Sequence, residues 1–422
     1  MKKILFGCAA IVASQIFAAP SVENVLVHQR WPWSTKVDID FTLDANADVE
    51  ITATWNQCPA PRDLTGEVVG QTMALPAGSH HLEWDPVAAG ITSELIGFTV
   101  NVKAIDGLVE RKYLVVDLYD NTYEYLSEIP AGGWTDEYKW KKMAFRRIPA
   151  GTMDLGVDAS DFERLGMTED WNKTRNQKHK VTISHDFYLG IYEVHAMQYW
   201  QINAGVNAQT FTSYASRSDL HYAQGSISTC IDEYMRTKST VDKTVDASIS
   251  WPASGFAVKD DSWFGNFRAK YGNKFRFDFP TLAQWQYACR GGEGAANSDS
   301  IWYCVSHAEF LSMTDAQVAA KLDEIAKWNN NANNAEVGQK VANALGLYDM
   351  LGNVKESALD FYSNNAYGGT DPVGPTSGSR RVQCGGTISM SRIVDVSTEC
   401  IANDTATIGG RVAIQLYDFT GK

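Results

Sequence analysis

The stretch Asn343-Ala344-Leu345-Gly346-Leu347-Tyr348-Asp349-Met350-Leu351-Gly352-Asn353-Val354-Lys355-Glu356 carries the most information about the fold of this chain. It places two carboxylates, Asp349 and Glu356, on either side of Gly352, with little room for regular structure between them. Glycine takes a positive φ without steric cost, and such a turn can direct carboxylate and carbonyl oxygens at one hard cation such as Ca²⁺. A solvated turn whose acids cap a helix or pair with a lysine is the alternative interpretation.

The length and composition indicate an acidic globular protein of two domains. The chain has 422 residues, which is more than one ordinary domain uses. Apolar residues make up 44% and charged residues 21%, enough apolar surface for a large core. The chain carries 37 basic and 50 acidic residues, a net charge of −13. We therefore expect neither nucleic acid nor an anionic membrane surface as its main partner.

The first residues are typical of a secretory signal peptide, which we place at residues 1–19. Lys2 and Lys3 form the charged start, an apolar stretch follows over residues 4–16, and Ala18-Ala19 supplies small residues for cleavage. The apolar stretch is too short for a stable membrane span, and no other segment is long enough to be one. We expect a protein that is exported to the periplasm, the cell surface or the medium.

Residues 20–120 alternate between apolar and polar side chains. Apolar residues recur at every second position in 37–43, 49–55 and 98–104, with polar residues between them. This period of two predicts half-buried antiparallel strands. We expect a small β-sandwich of immunoglobulin-like type, acting as a spacer or an adhesion module. A turn-rich linker over residues 121–141 follows it.

Residues 142–422 have short strand-like segments, few long periodic segments and many Gly, Asn, Ser and Asp. The clearest helix is predicted over residues 281–290, with Thr281 as its N-cap. A second helix is predicted over residues 315–326. Together with the first region, this predicts an α+β chain of two domains.

Read in order, this second region resembles the sulfatase-modifying-factor family, which comprises formylglycine-generating enzyme and its relatives. Six blocks resemble those of the family and occur in the expected order: 145–156, 179–194, 279–288, 346–356, Gly385-Gly386 and 409–413. The resemblance implies the family's variant of the C-type-lectin-like fold, with little regular structure, a small twisted sheet and long packed loops.

The resemblance also implies a structural calcium ion and one disulfide. The family's calcium ligands carry over to the side chains of Asp349 and Glu356 and to the main-chain carbonyls of Gly352 and Val354. Positions that pair in some relatives carry over to a disulfide between Cys289 and Cys400. For Cys58, Cys230, Cys304 and Cys384, the spacing does not select a pairing. None of the cysteines forms a CxxC pair, so we expect no zinc site of that type.

The redox chemistry of the active relatives depends on two cysteines after the Gly-Gly pair. Here Met390 and Asp395 occupy those two positions. A thioether cannot become a thiolate, and a carboxylate is too hard for Cu(I), so we expect no bound copper. Thr387 stands where the active enzymes have serine, and Lys355 replaces a tryptophan expected beside the active-site groove. The eight histidines form no ligand-spaced cluster on a helix, so no iron is expected either.

Two function classes follow from these observations. The first is an exported, non-catalytic member of the family, which presents loops 363–380 and 387–408 to an extracellular protein, peptide or glycan. The second is an oxidoreductase-type enzyme of the same family with an altered active site, using Lys355, Thr387, Arg392 and Asp395. These residues are equally interpretable as ordinary polar loop residues. A purely structural surface protein is a third interpretation.

Overall fold

A computed structural model describes residues 19–204, 258, 260, 262–329, 336–377, 381–386, 401–402 and 408–416. The chain divides into two compact units, residues 1–106 and 107–422. The expected signal peptide lies almost wholly outside the described residues. Among these residues, no helix combines the length and the apolar character that a bilayer crossing requires.

The first unit consists of two three-stranded antiparallel sheets. Their orders are β1-β2-β5 and β4-β3-β6, and the strands are β1 (Val22–Gln29), β2 (Val37–Leu43), β3 (Asp48–Trp55), β4 (Cys58–Asp63), β5 (Gly78–Trp84) and β6 (Thr99–Ile105). Alternate residues of β2 and β3 enter one shared apolar core, and the most deeply buried of them include Ile39, Val49 and Ile51. The predicted period of two is therefore confirmed for these strands.

The second unit begins with β7 (Tyr113–Asp117), β8 (Thr122–Leu126), α1 (Glu137–Trp140), β9 (Lys142–Ile148) and β10 (Gly151–Leu155). A 3₁₀ turn (Ala159–Asp161), α2 (Asp170–Asn176), β11 (His179–Ile183), β12 (Phe187–Gly190) and α3 (Ala196–Ala204) follow. Among the described residues after position 257, the chain forms α4 (Trp263–Lys270), β13 (Arg276–Asp278), α5 (Leu282–Cys289), α6 (His307–Ser312) and α7 (Asp315–Ile325). It ends with β14 (Lys355–Phe361), β15 (Gly369–Thr370), β16 (Arg381–Cys384), β17 (Ile401–Ala402), β18 (Ile408–Gly409) and β19 (Ala413–Gln415).

Three sheets organise the second unit. The largest has six strands in the order β13-β19-β12-β9-β7-β8, and the others run β10-β11-β15 and β17-β16-β14-β18. The helix α5 packs against β10, β11 and β14 and places Trp285 in the main core, where it is fully buried. Short strands and few helices give the mixed α+β character that the sequence predicts.

The boundary between the two units differs from the prediction. Residues 107–120 were assigned to the first domain and residues 121–141 to a linker, but β7 and β8 belong to the large sheet of the second unit. All five residues of β7 are buried, and β7 pairs with both β8 and β9. The alternating pattern continued across residue 106, and the sequence alone did not show that the partner strand β9 lies downstream.

Both predicted helices are confirmed, and so is the predicted N-cap Thr281. The side chain of Thr281 accepts a hydrogen bond from Gln284 N, and the Gln284 side chain accepts one from Thr281 N. Thr314 and Gln317 make the same reciprocal pair at the start of α7. Each pair satisfies two backbone donors that a helix start leaves without intrahelical partners.

Candidate functional site

The stretch Asn343–Glu356 forms a tight loop that leads into β14. Four of its residues have a positive φ: Gly346 (78°), Asp349 (54°), Gly352 (85°) and Asn353 (55°). A Cβ at Gly352 would stand 2.3 Å from the carbonyl oxygen of Lys327, so only glycine fits there. Asn353 N donates to that same carbonyl at 2.8 Å. The loop is thus held against residue 327 by backbone contacts.

Below this loop lies a group that we call the acid cluster: Glu193, Asp349 and Glu356 around Arg411. All four side chains are buried, with at most 1% of each residue exposed. The Arg411 guanidinium donates to both carboxylate oxygens of Glu356, at 2.6–3.0 Å. Trp285 Nε1 donates to the Oε2 of Glu356 at 2.6 Å. Glu356 is therefore held by charge-assisted hydrogen bonds from two sides.

The remaining donors of Arg411 connect distant segments of the chain. Its Nη1 donates to the carbonyls of Gly190 and Ile191, at 2.9 and 3.0 Å. Its Nη2 donates to the carbonyl of Tyr348 at 2.8 Å. One arginine thus joins the end of β12, the loop before β14 and β14 itself.

The other two carboxylates of the acid cluster accept fewer hydrogen bonds to offset the cost of burying them. Glu193 accepts from Asn353 Nδ2 at 2.6 Å and from Val354 N at 3.2 Å. Burial, together with the charges of Asp349 and Glu356, raises the pKa of Glu193 well above its usual value. Asp349 accepts from Gly338 N through Oδ2, while its buried Oδ1 has no hydrogen-bond partner among the residues that the structure describes. Burial raises the pKa of Asp349 to about 6.

A second feature, which we call the polar pocket, opens between α2, α5 and the loop that follows β14. Its lining includes Arg175, His179, Asp360, Asn365 and Tyr367, around a cavity of about 20 Å³ that opens to solvent. The cavity itself has room for about one water molecule, so a larger ligand would lie in the part of the pocket that is open to solvent. Residues 363–372 of the pocket belong to the loop that the sequence predicted to present to a ligand.

Asp360 is the buried titratable group of the polar pocket. It lies in β14, is 1% exposed, and accepts a hydrogen bond from Leu282 N at 2.6 Å. Burial raises the pKa of Asp360 to about 7, against the opposing effect of that hydrogen bond and of Arg381. The Arg175 guanidinium lies 4.3 Å from the centre of the Tyr362 ring, which holds it at the pocket wall. Neither residue was predicted from the sequence; the available signal for Asp360 was a lone acid inside the apolar stretch 358–361.

The model of the sulfatase-modifying factor enzyme 1-like domain matches residues 136–414, about two thirds of the chain. The chain belongs to this family. The predicted family membership is thereby confirmed.

Among curated proteins, the chain is similar to chaperone protein LppX of Paenibacillus barcinonensis, with 27% identity over 235 residues. That match covers 54% of this chain and 78% of LppX. Among solved structures, variable protein 1 of Treponema denticola is 21% identical with a TM-score of 0.41, covering 65% of this chain and 95% of that one. PvdO of Pseudomonas aeruginosa is 17% identical with a TM-score of 0.38, covering 64% and 94%.

The calcium ligands predicted from the family are only partly brought together. Glu356 does not face a free cation site, because both its oxygens accept hydrogen bonds from Arg411. The backbone amides of Gly352 and Val354 donate to Gly385 O and Glu193. Asp349 alone keeps a buried oxygen without a partner, the kind of donor that a hard cation completes. Glu356 is engaged in an ion pair with Arg411, and its role as a calcium ligand stays a prediction.

Most of the predicted groove residues fall outside the description. Thr387, Met390, Arg392 and Asp395 lie outside the described residues, as do residues 387–400 of the second predicted ligand loop. Lys355 is described, and it is 1% exposed as the first residue of β14, opposite Ile408 of β18. The side chain of Lys355 is therefore enclosed, and its place in the groove stays a prediction.

The predicted disulfide between Cys289 and Cys400 is not formed, because Cys289 is a free thiol. It ends α5 with no exposed surface, and its Sγ lies 4.0 Å from the carbonyl oxygen of Met350. Cys384 is disulfide-bonded. The other described cysteines are free, and Cys230 and Cys400 lie outside the described residues.

The described free thiols of the second unit are poor metal ligands and nucleophiles. Burial raises the pKa of Cys289 well above its usual value. Burial also raises the pKa of Cys304 to about 12. A thiolate, not a thiol, binds soft metals and attacks electrophiles. Both groups therefore stay protonated at neutral pH.

Proposed function

We propose that this protein is an exported, non-catalytic member of the family that binds an extracellular polar ligand in the polar pocket. The state of the described thiols of the second unit carries this proposal. The thiols of Cys289 and Cys304 have a raised pKa, and Cys384 is in a disulfide, so none of them supplies a thiolate for Cu(I). Met390 and Asp395, at the positions of the family's redox cysteines, agree with this conclusion at the level of sequence.

The chemistry of the polar pocket fits a ligand rich in hydroxyl or amide groups, such as a glycan or a peptide. Arg175 and Asn365 provide donors, Asp360 provides a carboxyl group, and Tyr367 provides an aromatic face. An aromatic ring beside a few polar side chains is typical of sites that fix the orientation of a small polar ligand. A binding role without catalysis is also in keeping with the name of LppX, which is called a chaperone.

The first unit contributes a spacer or a second binding module of immunoglobulin-like type. The strand orders β1-β2-β5 and β4-β3-β6 support this type, because each sheet combines strands from both halves of the unit, as Greek-key sandwiches do. The cleavable leader expected at residues 1–19 supports export.

The proposal is tested by activity and binding measured on the same purified protein. We expect no conversion of a Cys-x-Pro-x-Arg peptide to formylglycine in the presence of Cu(I) and oxygen, by mass spectrometry. On glycan and peptide arrays, Tyr367→Ala and Asn365→Ala should lose the signals that wild type gives. Leu311→Ala, an exposed apolar residue elsewhere, should keep them. Formylglycine production, or signals unchanged in both pocket variants, would overturn the proposal.

Calcium belongs to the proposal in a narrower form than the sequence predicts. Asp349 would hold the ion together with the main-chain carbonyls of Gly352 and Val354, while Glu356 stays with Arg411. Three buried carboxylates share one guanidinium in the acid cluster, and a divalent cation would balance the excess negative charge. The unpartnered Oδ1 of Asp349 supports this assignment.

Chelation should therefore destabilise the wild-type protein. At calcium about a hundredfold above its dissociation constant, binding stabilises by about 3 kcal/mol, or roughly 6–12 °C in Tm. We expect EGTA to lower the Tm of wild type and of the exposed-site control Asp315→Asn by this amount, and to leave Asp349→Asn unchanged. Equal responses of wild type and Asp349→Asn in differential scanning fluorimetry would remove calcium from this place.

A further inference from the structure

A third group of side chains lies apart from the acid cluster and the polar pocket. We call it the Asp–His triad: Asp158 and Asp161 at the 3₁₀ turn, and His307 at the start of α6. One ligand atom from each residue lies within 4.8 Å of the other two. His307 Nε2 and Asp161 Oδ2 are 2.7 Å apart. The residues are separated by up to 149 positions in the chain, so sequence spacing does not reveal the group.

The local backbone explains why the two aspartates face the same way. In a 3₁₀ turn, side chains at positions i and i+3 are eclipsed, which places Asp158 and Asp161 on one side. Asp158 occupies the N-cap position, yet its side chain makes no capping hydrogen bond. Its carboxylate is thus directed away from the usual role of an N-cap aspartate.

Asp161 is unusual for a buried acid. The residue is only 4% exposed, and in the described part of the chain its side chain has a single hydrogen-bond partner, His307. A buried carboxylate normally needs several donors or a metal. One of its oxygens is therefore left available, and Asp161 lines a cavity of about 20 Å³ together with Asp158 and His307.

We propose that the Asp–His triad is a binding site for a divalent transition-metal ion, with Zn²⁺ as its typical occupant. One imidazole nitrogen and two carboxylate oxygens are borderline donors that suit Zn²⁺ and its neighbours better than Ca²⁺. Donors at about 2.0–2.2 Å from one ion lie at most about 4.4 Å apart. The observed spacing therefore needs only small side-chain adjustments. Three protein donors facing a cavity leave a position for water, as catalytic zinc sites do.

Asp299 and Lys178 lie next to the Asp–His triad and would influence how it binds a metal ion. Asp299 Oδ1 accepts a hydrogen bond from His307 N at 3.2 Å, which fixes the start of α6. Lys178 Nζ lies 3.1 Å from Asp158 Oδ2, and its side chain is 45% exposed. This ammonium competes with a cation for Asp158, and it can move into solvent when the metal binds. The metal takes the place of the proton on His307 Nε2, which is released.

The test uses Zn²⁺ itself with the full-length protein in excess calcium, by isothermal titration calorimetry. We expect one equivalent to bind to wild type. Asp161→Asn and His307→Asn should each weaken binding by at least about tenfold, the lower limit for losing even an outer-shell partner. Lys178→Met should tighten it roughly two- to fivefold, because a half-exposed ion pair contributes up to about 1 kcal/mol.

The controls separate this site from other zinc ligands and from misfolding. His179→Asn and the double variant Cys58→Ser/Cys304→Ser should bind Zn²⁺ as wild type does. Asp158→Asn, at a half-exposed position, should keep the wild-type circular dichroism spectrum and still weaken binding. The proposal is overturned if wild type binds neither Zn²⁺ nor Co²⁺, or if Asp158→Asn, Asp161→Asn and His307→Asn all bind like wild type.

Discussion

Replacing Arg411 with methionine is expected to lower the free energy of unfolding by about 3–5 kcal/mol, the typical cost of removing one partner of a buried ion pair. The guanidinium is fully buried, donates to Glu356, and satisfies three carbonyls from two segments. Without it, three enclosed carboxylates remain with no nearby positive charge in the acid cluster. Methionine keeps much of the apolar volume, so the loss reports charge and hydrogen bonding more than a cavity.

A double variant tests the cause of that loss. In Glu356→Gln/Arg411→Met the amide oxygen still accepts from Trp285, but the buried negative charge is gone. We therefore expect the double variant to be more stable than Arg411→Met alone. As a control, Glu137→Gln removes a partly exposed partner of Lys142 and should cost less than about 1 kcal/mol. Urea unfolding measures all four proteins. A double variant less stable than Arg411→Met would contradict the ion-pair explanation.

The second large effect concerns Asp360, which is expected to lower the free energy of unfolding by an amount that depends on pH. Its pKa is about 7 in the folded protein and about 3.9 in an unfolded chain. The folded state therefore holds a proton that the unfolded state has lost over this interval, and stability falls as pH rises from about 4 to about 7. A shift of roughly 3 units corresponds to at most about 4 kcal/mol.

Asp360→Asn isolates this contribution. The amide does not titrate, and its oxygen can still accept from Leu282 N. The difference in unfolding free energy between Asp360→Asn and wild type should therefore increase in favour of the variant from pH 4 to pH 8, by up to about 4 kcal/mol. Asp315→Asn, at an exposed position in the first turn of α7, should show a much smaller change. A difference that stays constant across this range would show that Asp360 is charged in the folded state.

The sequence predicts those elements whose signals are local. The alternating pattern predicted β2 and β3, and the N-cap residue Thr281 predicted the start of α5, because strand periodicity and helix capping depend on residues a few positions apart. The extent of the second unit was wrong at its start because β7 owes its place to pairing with β9. That pairing depends on the partner strand, which a local pattern does not identify.

The candidate sites depend even more on contacts between distant residues, which a local sequence pattern does not identify. The glycine turn at Gly352 and the acids beside it were visible in the sequence, but the role of Glu356 depends on Arg411, 55 residues downstream. A family pattern identified both positions without showing that they contact each other. The triad combines Asp161 with His307, 146 residues apart, and neither residue belongs to a metal-binding motif. Contacts over such distances require the packed structure.

The second unit begins at residue 107, and this decides where a fragment that contains the family domain should begin. A fragment that began at residue 142 would lack β7 and β8, and would leave β9 with a row of unpaired amide and carbonyl groups along one side. Uncovered edges of this kind recruit strands from other molecules and lead to aggregation. A fragment that began at residue 107 would keep the hairpin as the natural border of the sheet. The β7–β8 hairpin thus covers the edge of β9 that would otherwise be exposed. It does so although it lies upstream of the segment that the family pattern covers.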